Sequence, residues 1–125
     1  MIQAYCNEVH NLTNDITVLH YRLHRSLDLS SYNRKLEKYA REIITLLTLI
    51  LRKKSTARLQ RELARLPKEF AAYIILVSRK EAQKAEQAGS NLLGKLLSLQ
   101  REVESLFQLK MTKSSVSVLS GPRLR

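Results

Sequence analysis

The chain contains no Trp, two Phe, one Cys, two Pro and three Gly among its 125 residues. Each scarcity excludes something. A β-rich fold of this length needs more turn residues than three Gly and two Pro supply. The single cysteine, Cys6, rules out an internal disulfide and a Cys-cluster zinc site. Without Trp, and with five Tyr that fall mostly on apolar stripes, there is no platform for stacking nucleic-acid bases. Acid is scarce too: 11 Asp+Glu face 22 Lys+Arg, a net charge of +11. The longest apolar run, Ile43–Leu51, is interrupted only by Thr45 and Thr48. It falls short of the ~20 residues that cross a bilayer, so no membrane insertion is expected. Gly-rich phosphate loops, H-E-x-x-H and G-x-S-x-G are missing, and a non-catalytic protein without a cofactor is expected. The opening MIQAYCNEVHNL lacks a basic region followed by an apolar one, so no signal peptide is evident and a cytoplasmic location is expected.

What remains is a helix-forming chain. Leu, Ala, Lys, Arg, Glu and Gln dominate. Four segments carry apolar residues at steps of three and four, the spacing of one helix face. In the first, from Ile2 to about Leu27, the stripe is Ile2, Tyr5, Val9, Leu12, Ile16, Leu19 and Leu23. Ser30 or Ser31 then suits an N-cap. The second, about Tyr32 to Lys54, repeats the spacing at Tyr32, Leu36, Tyr39, Ile43, Leu46 and Ile50. Its C-terminal half is apolar on most sides, which predicts the bundle centre or a subunit interface. The third runs from Ser55-Thr56 to near Gln87 on Leu59, Leu63, Leu66, Phe70, Tyr73 and Val77, and Pro67 predicts a kink or a break within it. Gly89-Ser90 reads as a helix stop followed by a start. The fourth runs from Asn91 to Lys110. An all-α, antiparallel four-helix bundle over 1–110 is therefore expected, with a disordered basic tail over 111–125.

The third segment also carries a cationic stripe. Lys54, Arg58, Arg61, Arg65 and Lys68 are spaced four, three, four and three, and at ~100° per residue they share one arc opposite the leucines. Arg34, Lys35, Lys38 and Arg41 form a second patch on segment two. Such an array tracks a phosphate backbone, because each guanidinium pairs with phosphate oxygens. The plain alternative is a solvated helix face. No zinc-finger, helix-turn-helix or RNA-recognition signature is present, so binding would be non-sequence-specific. The expected binding residues are Arg34, Lys38, Arg41, Lys54, Arg58, Arg61, Arg65 and Lys68. The expected partner is RNA or DNA. The alternative is a protein–protein interaction module, an adaptor, chaperone or small subunit of a larger complex, whose basic face meets an acidic partner. Excess leucine in segments two and four suggests a homo-oligomer. Cys6 with His10, and His20 with His24, have the one-turn spacing of chelating pairs, but too few ligands for a metal site; His20 and His24 are expected at the bundle edge.

Overall fold

A computed structural model describes residues 1–23 and 29–109. Four helices form, α1 (Ile2–Tyr21), α2 (Leu29–Lys53), α3 (Ala57–Ser78) and α4 (Ala82–Leu106), with no strand among the described residues. They pack in a ring: α1 on α2, α2 on α3, α3 on α4, and α4 back on α1. Neighbours run antiparallel. Asn33 Nδ2 donates to Ser78 Oγ at 2.8 Å, joining the start of α2 to the end of α3. At the other end of the pair, Gln60 Nε2 reaches the Leu51 carbonyl at 3.5 Å.

The three–four stripes become the core. Ile16, Leu36, Ile43, Ile50, Leu59, Leu66, Tyr73, Val77 and Leu96 are all fully buried. Burying a Leu or Ile side chain stabilises by roughly 1.5–3 kcal/mol, so these seams supply the driving force. The Ile43–Leu51 run is the centre, as expected. Ile43, Leu47, Ile50 and Leu51 are covered within one chain, while Ile44, Leu46 and Leu49 on the flanks of the run are half-buried.

The helix ends differ from the expectation in three places. Ser30 and Ser31 lie inside the first turn of α2, not before it. α3 ends at Ser78, one residue past Val77, the last member of its stripe, and not near Gln87. Gly89-Ser90 sits inside α4, which begins at Ala82. The true turn is Arg79-Lys80-Glu81. Lys80 adopts φ 60°, and its N–H bonds to the Val77 carbonyl while that of Glu81 bonds to the Leu76 carbonyl. This is a Schellman ending with lysine where glycine is usual. Gln108, φ 57°, closes α4 in the same way. The N-terminus of α3 matches the expectation, because the Thr56 side chain accepts from the Leu59 N–H at 3.1 Å. α3 continues unbroken through Pro67. The expected tail, 111–125, and the end expected for the first segment, near Leu27, lie outside the described residues.

One layer joins α1, α2 and α3 through polar atoms and packs closely against α4. Tyr73 Oη of α3 lies 2.7 Å from His20 Nδ1 of α1 and 2.7 Å from Tyr32 Oη of α2. Two proton orders satisfy them: Tyr32 donates to Tyr73 and Tyr73 to the imidazole, or the imidazole N–H donates to Tyr73 and Tyr73 to Tyr32. α4 contributes Gly89, where a Cβ would fall 2.3 Å from His20 Cε1 and 3.0 Å from Tyr73 Cε1. His20 is thus buried and not at the bundle edge. Burial raises the pKa of both phenols, so they hold their protons at neutral pH.

Candidate nucleic-acid interface

Charge is distributed unevenly over the ring. The α2–α3 hairpin, residues 29–81, carries thirteen Lys and Arg against five Glu, a net +8. α1 and α4 together carry three Lys and Arg against five Asp and Glu. The apolar stripes explain where these cations point. Each helix turns its leucines inward, so the charged residues of α2 and α3 take the opposite, solvent side. All eight expected binding residues are exposed.

Their grouping is more particular than the spacing implies. The Asn33–Ser78 and Gln60–Leu51 bonds set the register of the hairpin. Lys54, Arg58, Arg61, Arg65 and Lys68 occupy the half near the α2–α3 turn. Arg34, Lys38 and Arg41 occupy the other half. The two patches follow one another along the hairpin instead of lying level. Together they extend over about 30 Å, at 1.5 Å per residue. Arg79 and Lys80, in the α3–α4 turn next to the Asn33–Ser78 bond, add cations at the Arg34 end. The sequence reading missed them because it ran a helix through that turn.

Some of the stripe is spent on packing. Arg58 donates to Glu102 of α4 at 2.8 Å, and Arg65 lies 3.5 Å from Glu62. Lys95 of α4 bridges back to Glu69 and, at 3.3 Å, to Glu62. The Glu62 contact is an ion pair without hydrogen-bond alignment, since Glu62 Oε1 has no hydrogen-bond partner. Hydrogen bonding to Glu69 raises the Lys95 pKa. The Arg58 and Lys95 pairs form a seam between α3 and α4, so Arg58 leans toward α4, while the Arg65–Glu62 pair lies within α3. Arg41 has only a 4.0 Å contact with Glu37. Arg34, Lys38, Lys54, Arg61 and Lys68 make no ion pair with a described residue. These five are the uncommitted cations of the expected set.

Aromatic side chains do not accompany them. Tyr32 and Tyr73 are buried and Tyr39 is half-buried, while the exposed Tyr21 belongs to α1. Of the residues with metal-like spacing, His24 lies outside the described residues, and His10 and Cys6 take part in packing between α1 and α4. His10 Nδ1 donates to Gln100 Oε1 at 3.1 Å, and Gln100 Nε2 donates to Thr13 Oγ1 at 2.7 Å. Cys6 is buried beside this group, and burial with the nearby Glu104 pushes its thiol up to about 11. Burial likewise raises the Glu104 carboxyl, against the opposing pull of His10 and Arg101. Among the described residues no three His, Cys, Asp or Glu side chains converge on one point, and no helix is long and apolar enough to cross a membrane. Comparison with models of protein families, with curated proteins and with solved structures returned no match.

Proposed function

We propose that the protein is a non-catalytic accessory protein that holds RNA or DNA by the phosphate backbone along its α2–α3 hairpin. The observation that carries this reading is the net +8 of that hairpin, displayed on exposed side chains, beside two helices that are not basic. A solvated helix face has no need to concentrate charge so. Like charges at this density repel one another, and a line of phosphates relieves that repulsion. The ~30 Å length matches roughly eight or nine phosphates of one strand, which recur about every 3.4 Å. The lack of exposed aromatics on the hairpin supports contact with the backbone and not with the bases.

The test is an anisotropy titration of a labelled oligonucleotide at several salt concentrations. If the five uncommitted cations each meet a phosphate, log K should fall with log salt at a slope of about −4. Arg61→Glu with Lys68→Glu should weaken binding about tenfold or more and flatten that slope by about 2. Arg101→Glu, on α4, should change little. A flat salt dependence, or an equal loss from Arg101→Glu, would sink the reading. Binding to polyglutamate as tight as to nucleic acid would reassign the hairpin to an acidic protein partner.

A further inference from the structure

The opposite side of the ring, made by α1 and α4, has a different character. From Gln87 to Gln100, α4 holds one charged residue, Lys95, and that side chain is turned to Glu62 and Glu69 of α3. From Asn11 to Tyr21, α1 holds one, Asp15. Large apolar side chains are exposed here: Val18 at 49%, Tyr21 at 79% and Leu97 at 44%. Between Tyr21, Leu93 and Leu97 the helices leave an open groove of about 420 Å³ that includes Gly94, with Glu86 the one acidic residue on its lining. A Cβ built on Gly94 meets nothing within 4 Å. No contact with a described residue asks for glycine at this position, although glycine in mid-helix is unfavourable.

A surface poor in charge, with exposed Tyr and Leu, has the composition of an interface core. We propose that two copies of the chain associate back to back through their α1–α4 faces. Tyr21 and Leu97 of each copy then fill the hollow over Gly94 of the other. Charge selects this occupant. Two copies of a +11 chain repel wherever their hairpins meet, and this arrangement alone among the four sides puts both hairpins on the outside. An acidic partner is drawn to the hairpin instead. The face also carries a knob and a hollow on one surface, the self-complementarity that a two-fold contact requires.

Sedimentation velocity on the full chain, free of nucleic acid and at ~50 µM, should show a dimer, because a Kd near 10 µM already leaves most chains paired at that concentration. High salt should strengthen the dimer by screening the hairpins. Gly94→Leu and Leu97→Glu should each yield a monomer with unchanged helical circular dichroism. Arg34→Glu should leave the dimer intact. A wild-type monomer overturns the proposal. So does a dimer that survives either Gly94→Leu or Leu97→Glu, or one that Arg34→Glu dissociates. No nucleic acid enters the measurement, so its failure is distinct from failure of the binding reading.

Discussion

Two glycines of α4 are alike in sequence and opposite in circumstance. Gly89 faces inward, where a Cβ would stand 2.3 Å from His20 Cε1 and 2.5 Å from His20 Nδ1. That ring cannot step aside cheaply, because its Nδ1 is bonded to Tyr73. Gly94 faces open space. Gly89→Ala should therefore destabilise by up to about 2 kcal/mol, since overpacking costs ~1–3 kcal/mol and the helix-propensity gain of ~1 kcal/mol offsets part of it. Gly94→Ala should stabilise the monomer by up to about 1 kcal/mol. Urea denaturation of the two variants under matched conditions checks the pair, and equal signs would contradict it. Only one fact about these residues was legible in the sequence, namely that glycine is unusual in a helix. The reading of Gly89 as a stop signal failed because its cause is tertiary. A histidine 69 positions earlier closes over it.

At the scale of the helix, Pro67 lies within α3 and is exposed. It cannot donate to the Leu63 carbonyl one turn earlier, and proline inside a helix costs about 3 kcal/mol. The helix holds because the leucine stripe on both sides of Pro67 is buried: Leu59, Leu66, Phe70 and Tyr73. Pro67→Ala should raise stability by about 1–3 kcal/mol in thermal or urea denaturation, and a loss of stability would show that the ring itself makes a needed contact. The stripes were legible because burial alone dictates the three–four period, and the buried residues of α3 are the ones that the spacing marks, with Leu63 of the same stripe half-buried. The α3–α4 turn was not legible. Its left-handed residue is Lys80, which carries none of the glycine signal on which turn recognition depends. The candidate site divides in the same way. Its cations could be read from spacing, but the commitment of Arg58 to Glu102, 44 positions away, depends on how α3 and α4 pack.

At the scale of the whole molecule, the hairpin's net +8 opposes its own compaction. Added salt should relieve this, because the Debye length falls from ~30 Å at 0.01 M to ~3 Å at 1 M. The melting temperature should rise by about 5 °C over that range, roughly 1 kcal/mol for a domain of this size. A melting temperature that falls with sodium chloride would mean that the α3–α4 ion pairs outweigh the repulsion. The layer of His20, Tyr32, Tyr73 and Gly89 acts at this scale as well. Leucine seams are permissive: a helix sliding by one turn, about 5.4 Å, still meets leucines. It would not meet this layer, because each helix supplies one member and the phenols and imidazole need one another as partners. A slipped or reordered ring would break the His20–Tyr73 and Tyr32–Tyr73 bonds, at ~1–3 kcal/mol for each buried group left unsatisfied. The layer thus serves as a key that only one ordering of the four helices fits, and so allows generic seams to specify a single fold.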